Sequence, residues 1–158
     1  VKILLDIDGV MVSAKPWQTC ETGADGFCAF SKFSVEGLNR ILVASANPEI
    51  ILTTSHKNTF TLQEWESIFS TRGVLKTKIG RLVSNNPRLS RYEEIKHWHS
   101  ENEDAKFIIL DDDRSLNAFE TSFKEAHLVM TNPTVGLTSE AADDAIQKVG
   151  NLLDKVFP

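Results

Sequence analysis

Val1-Lys2-Ile3-Leu4-Leu5-Asp6-Ile7-Asp8-Gly9-Val10 is an apolar run that stops at two aspartates one residue apart and then at a glycine. Residues two apart on a strand share a face, so both carboxylates are expected to project from one strand end. Gly9 lets the backbone turn sharply just beyond them. A continuous apolar run suits a strand buried on both faces, and open α/β sheets bind their ligands beyond the carboxyl ends of such strands. Two acids there read as a reaction centre more than as a surface.

Outward from that strand the pattern repeats. Apolar segments ending in polar residues occur at 49–54, at 106–110 and, more weakly, at 127–130. Helical periods lie between them. Leu38, Ile41 and Leu42 share a helix face, and Thr61-Leu62-Gln63-Glu64 reads as a capping box ahead of Leu62, Trp65, Ile68 and Phe69. Ser90-Arg91-Tyr92-Glu93 reads as a second box, opening a helix that buries Tyr92, Ile95 and Trp98, and Thr138 as the cap of a last helix carrying Ala142, Ile146, Val149 and Leu153. Strands alternating with helices predict an α/β fold, a Rossmann-like parallel sheet with helices on both faces.

Segments 13–32 and 73–89 lack clean periodicity. The first contains Gly23, Gly26 and an aromatic run from Phe27 to Phe33, and reads as a hairpin or small flap at 13–33 beside the first strand end. Neither segment is long enough for a second domain, so 1–158 is expected to form a single domain.

The 158 residues, 41% hydrophobic, can bury a sizeable core. A net charge of −5 and a pI near 5.4 argue against a surface built mainly to neutralise nucleic-acid phosphates. Cys20 and Cys28 lack the close pairs and matching histidines of a zinc site and read as free thiols in a reducing compartment. No apolar stretch approaches the roughly 20 residues needed to span a bilayer, and the start lacks a basic leader. A soluble, cytoplasmic protein without membrane contact is expected, and no partner protein is evident.

The segment Ile108-Ile109-Leu110-Asp111-Asp112-Asp113 is a second apolar strand ending in acids, and in a parallel sheet its end lies at the same pole as Asp6 and Asp8. Two unit charges about 4 Å apart repel by about 4 kcal/mol at an effective dielectric near 20. A bound cation relieves that repulsion, and all-oxygen ligation favours Mg²⁺. At a third strand end, Thr53-Thr54-Ser55-His56-Lys57 supplies hydroxyls and backbone donors for a phosphoryl oxygen. Arg91 falls in the first turn of a helix, where free N–H groups and the dipole already favour an anion. Carboxylate nucleophile, proton-shuttling carboxylate, metal, hydroxyl and guanidinium together describe a phosphoryl-transfer site.

The order Asp-x-Asp-Gly-Val, strand-Thr, Arg, strand-Asp-Asp resembles the four motifs of the haloacid dehalogenase (HAD) superfamily. It is closest to the small HAD-like domains of Swiss Army Knife RNA repair proteins. That closer likeness rests on Ser90-Arg91-Tyr92-Glu93-Glu94-Ile95 with Trp98, on Phe107 through Asp113, and on Thr131 through Thr138, ending Gly136-Leu137-Thr138. The resemblance implies that Asp6 is the nucleophile forming an aspartyl phosphate and that Asp8 protonates the leaving oxygen and later activates water. It implies Mg²⁺ held by the Asp6 side chain, the Asp8 main-chain carbonyl and Asp112, with Asp111 beside them. Thr54 takes the motif hydroxyl, Thr53 being the register alternative. Thr53, Thr54, Ser55 and Arg91 face the substrate phosphate, Arg91 standing where most members use lysine. Two departures stand out. Arg114-Ser115 follows the acidic triplet where relatives tend to carry another acid, and Ser55-His56-Lys57 stands where the closer relatives tend to show tryptophan and arginine.

A Mg²⁺-dependent phosphatase of phosphoric monoesters is therefore expected. About forty residues separate the first two motifs, too few for a large cap, so an open site admitting a phosphate that protrudes from a large molecule is expected; the resemblance implies a nucleic-acid end as the phosphorylated substrate, with a small molecule such as a nucleotide or sugar phosphate as the other option. A non-catalytic metal- or phosphate-binding regulatory module with the same fold is the alternative, disfavoured by the intact Asp6 and Asp8. A phosphoacceptor switch of the receiver type would order its acids differently. His97 and His99, two apart on a helix, should diverge rather than share a metal. His56 and Lys57 fit a phosphate contact or a solvated loop equally well. Trp65 and Trp98 read as core, and Trp17 as packing of the flap, with base stacking as its functional alternative.

Overall fold

The computed structural model describes residues 1–15, 17–83 and 86–155. Five parallel strands form one sheet in the order β3-β2-β1-β4-β5: β1 (Lys2–Leu5), β2 (Glu49–Leu52), β3 (Lys78–Arg81), β4 (Phe107–Asp111) and β5 (Leu128–Met130). Helices α1 (Lys32–Ala44), α2 (Leu62–Thr71), α3 (Arg91–Glu101), α4 (Thr121–His127) and α5 (Ser139–Asp154) connect or follow them, and a short 3₁₀ helix covers Arg114–Ala118. The order of strands reverses at β1, so the crevice between the ends of β1 and β4 is a topological switch point.

Two apolar clusters sandwich the sheet. Ile3, Leu5, Ile50, Leu52, Ile108 and Leu110 face a core shared with α1, α2 and α5, while Leu4, Ile51, Phe107 and Ile109 face Ile95 of α3, Leu116 and Phe119. Helices therefore cover both faces, as expected of a Rossmann-like sheet, and among the described residues no large cap is inserted. Both predicted capping boxes form: Thr61 accepts from the Glu64 N–H and Ser90 from the Glu93 N–H, each glutamate reaching back to its cap residue.

The register sets the geometry of the pole. Leu5 lies opposite both Leu52 and Leu110. The ladder then continues one step, with the Thr53 N–H donating to the Leu5 carbonyl at 2.9 Å and the Asp6 N–H to the Leu110 carbonyl at 3.0 Å. Asp6, Thr53 and Asp111 thus stand abreast on three adjacent strands, on the face covered by α3.

Several expectations need correction. The segment at 73–89 contains an edge strand, β3, and residues 121–127 form α4, so His127 ends a helix rather than opening a strand. The buried stripe of α5 runs through Ala142, Ala145, Val149 and Leu152, leaving Ile146 and Leu153 only partly buried. Trp17 does not pack the flap, being 75% exposed. Cys20 and Cys28 are joined in a disulfide, not free, which removes the free-thiol argument for a reducing compartment. Among the described residues no helix is long and apolar enough to cross a membrane.

The flap is tied down at several points. An antiparallel bridge pairs Thr22 with Cys28, beside the disulfide. Arg72 at the end of α2 forks onto Asp25, with Nη1 at 2.6 Å from Oδ2 and Nη2 at 2.8 Å from Oδ1, and also donates to the carbonyls of Cys28 and Phe27. Phe27 is buried edge-on against Phe60 and Trp65.

Candidate active site

Asp6, just past the end of β1, is 6% exposed, while Thr53 and Asp111 are fully buried. Asp111 has both carboxylate oxygens engaged. Oδ1 accepts the Asp113 N–H at 3.0 Å, and Oδ2 accepts Thr53 Oγ1 at 3.2 Å together with a close bond from Arg91 Nη1. Arg91 is the first residue of α3, so its guanidinium enters the row from the helix N-terminus, where the dipole already favours negative charge. Its Nη1 also donates to Thr53 Oγ1 at 3.1 Å and lies 3.7 Å from Asp6 Oδ1. On its other side Nε lies 3.7 Å from Glu94 Oε2.

Asp112 completes the acids by leaning over Gly9. Gly9 has φ +82°, and a Cβ there would lie 2.2 Å from Asp112 Oδ2, so only glycine admits both the turn and the carboxylate above it. Thr131 Oγ1 fixes the same turn by donating to the Gly9 carbonyl at 2.7 Å. Ligand oxygens of Asp6, Asp111 and Asp112 all come within 4.8 Å of one another. Burial, then the Asp111 charge, push Asp6 up to about 8 against the pull of Arg91, and a hydrogen bond with Asp112 pushes the same way. Burial raises Asp111 as well, opposed chiefly by Arg91, while Arg91 itself is raised by Asp111 and Asp6 in spite of its burial. Buried side by side, Asp6 and Asp111 hold their protons above the carboxylate range. A hard divalent cation among the three carboxylates would favour their ionised forms, and oxygen donors suit Mg²⁺, so these residues fit the metal expected from the sequence.

Asp8 lies apart from that cluster. Its side chain is 49% exposed, and its Oδ2 meets His56 Nε2 at 2.9 Å. Thr54 is buried, and its Oγ1 accepts the His56 N–H at 3.3 Å inside the turn, so the hydroxyl beside the acids belongs to Thr53. Ser55 is exposed. Of His56 and Lys57, His56 keeps a side chain 42% exposed and only Lys57 departs from a solvated loop. Lys57 is 7% exposed, with Nζ 3.5 Å from Glu94 Oε1. Its carbonyl accepts Arg81 Nη1 at 2.8 Å and Trp65 Nε1 at 3.2 Å, which pins the loop from β3 and α2.

Sequence reasoning missed Glu94, which bridges Lys57 and Arg91, and Arg81, which holds the loop. The spacing of Arg91 and Glu94 three apart on one helix could have marked Glu94, whereas Arg81 carries no local signal because its partners lie outside β3. His97 pairs with Glu101 at the surface while His99 turns toward Phe107, the divergence expected of positions two apart on a helix. A groove of about 780 Å³ between α2 and β3 contains none of the acids and lies apart from this chemistry.

The family model for the HAD domain in Swiss Army Knife RNA repair proteins matches residues 2–142, a span that contains every residue of the row, the Gly9 turn and the β2 loop. No curated protein and no solved structure matches the chain.

Proposed function

The chain belongs to the HAD domains of Swiss Army Knife RNA repair proteins, and from that premise we propose that it is a Mg²⁺-dependent phosphohydrolase acting through an aspartyl phosphate. The observation that carries this is the row of Asp6, Thr53 and Asp111 abreast on three strands, with Arg91 on it and Asp8 one turn away. The row gathers an acceptor carboxylate and donors for phosphoryl oxygens, while Asp8 is free of the cluster and exposed enough to exchange protons.

In the first step an Asp6 oxygen bonds to phosphorus as the bond to the leaving oxygen breaks, and Asp8 gives that oxygen its proton. In the second, water bonds to the same phosphorus while Asp8 takes one of its protons, and the bond from phosphorus to Asp6 breaks, returning the carboxylate and inorganic phosphate. Arg91 donates to the non-bridging oxygens as their charge grows, offering a fork where lysine would offer a point charge, and Thr53, which accepts from its Nη1, orients it. The Asp6, Asp111 and Asp112 side chains and the Asp8 carbonyl would hold Mg²⁺, which supplies charge neutralisation for the acids and the phosphoryl group. Glu94 and Lys57 fix the far side of Arg91.

The lack of a large cap among the described residues suits a phosphate protruding from a larger molecule. A terminal phosphate on a nucleic acid is the substrate that the family points to, while small phosphate esters fit the same groups. Release of inorganic phosphate from 4-nitrophenyl phosphate tests the activity. It should require Mg²⁺ and vanish in Asp6→Asn; release that is indifferent to both would overturn the assignment.

A further inference from the structure

Resting on the phosphohydrolase assignment, we propose that His56 is a positioning residue for the Asp8 general acid, with Phe27 of the disulfide-bonded loop as its support. A carboxylic acid has two oxygens but one proton, and a general acid works only when the protonated oxygen faces the leaving group. His56 Nε2 lies 2.9 Å from Asp8 Oδ2. With the proton on Nε2, the imidazole donates to Oδ2 and occupies it, so the acidic proton resides on Oδ1, the oxygen left for the leaving group. Among the described residues no other side chain hydrogen-bonds the Asp8 carboxylate. A half-exposed aspartate beside a glycine has free rotation at its side chain, and this one bond selects an orientation.

His56 is itself well placed to do so. Its N–H donates to Thr54 Oγ1 at 3.3 Å, and its carbonyl accepts the Thr59 N–H at 2.8 Å, fixing its backbone. Its ring stands edge-on to Phe27, centroids 5.7 Å apart at 83°. Phe27 is held in turn by its neighbour Cys28 in the disulfide, by Arg72 Nη2 on its carbonyl at 3.0 Å and by the Gly23 N–H on the same carbonyl at 2.8 Å. The flap thereby reaches the chemistry as a buttress: loop to Phe27, Phe27 to His56, His56 to Asp8.

The test is the dependence of kcat/KM on leaving-group basicity across para-substituted phenyl phosphates, which share a shape and differ in their need for a proton. Nitrophenolate leaves with little help, whereas phenolate needs the acid. His56→Ala should lower kcat/KM for phenyl phosphate by about tenfold more than for 4-nitrophenyl phosphate, a part of the hundredfold or more that a general acid contributes. His56→Gln, whose amide N–H can still donate, should restore most of the difference, and Phe27→Leu should steepen the dependence less than His56→Ala does. A purely structural role would lower both substrates alike. Equal losses in His56→Ala, or no loss, with turnover by the unmutated protein, would overturn this proposal alone. Absence of phosphate release from every ester by the unmutated protein would overturn the phosphohydrolase assignment and the role of His56 with it.

Discussion

Arg72 and Arg91 are both buried arginines on carboxylates, and they are held in opposite ways. Arg72 faces one aspartate in a matched fork and spends its remaining donors on carbonyls, so its neighbourhood is balanced; Asp25 is pulled down to about 2, first by the hydrogen bond to Arg72. Arg91 faces Asp6, Asp111 and Glu94 at once, and Asp6 nonetheless stands far above the carboxylate range. The first is a staple that closes the flap onto α2. The second sits among three carboxylates, an arrangement that costs stability and accords with the proposed cation and phosphate site.

Asp6→Asn separates the two most sharply. It should abolish phosphate release by removing the nucleophile, and raise the melting temperature of the metal-free protein near neutral pH by removing a carboxyl that must take up a proton to be buried beside Asp111. Differential scanning fluorimetry without divalent ions, beside a phosphate-release assay, reads both. A lower melting temperature in the variant would show that the acids are not in conflict. With the unmutated protein, millimolar Mg²⁺ should raise the melting temperature by linkage, and Asp6→Asn should blunt that rise.

The two arginines should then respond in opposite currencies. Arg91→Ala should lower kcat/KM by about 10²–10³, the range for one lost transition-state donor. Arg91→Lys should recover part of it, because a point charge serves the phosphate but cannot fork between Thr53 and Asp111. Arg72→Ala should instead lower stability by about 1–3 kcal/mol through the Cys28 carbonyl left without its donor, with kcat/KM changed only to the extent that Phe27 loosens behind His56. Urea unfolding and steady-state kinetics on both variants check the contrast, which fails if Arg72→Ala costs as much activity as Arg91→Ala.

How much of this was legible in the sequence depended on range. β1, β2 and β4 announce themselves because strands buried on both faces are continuous apolar runs, and the two capping boxes because their partners are three residues apart. β3 hides because an edge strand of Lys78-Ile79-Gly80-Arg81 buries only Ile79. α4 hides because among the described residues it has none fully buried and no side-chain cap. The acids and Arg91 could be named from order alone. The choice between Thr53 and Thr54 needed the strand register, since one residue along a strand exchanges its faces. Glu94 on Lys57 and His56 on Asp8 are long-range pairings that no periodicity encodes, and the disulfide lies in a segment with no period to read.

The pH dependence of stability is the effect most diagnostic of the acids around Arg91. A carboxyl held up to about 8 in the folded protein, against an ordinary value of 3.8, keeps its proton across a range in which the unfolded chain has lost it. Between those limits the folded state binds more protons than the unfolded one, so stability falls as pH rises through that window and levels off above it. Metal-free protein should therefore unfold at lower temperature near pH 8 than near pH 5, and the raised Asp111 adds to the same slope. Asp6→Asn should flatten the slope over that range. The Arg72 staple should leave it unchanged, because Asp25 is shifted downward and would lose its proton well below pH 5. If Asp25→Asn flattens the slope and Asp6→Asn does not, the raised carboxyl has been placed at the wrong arginine.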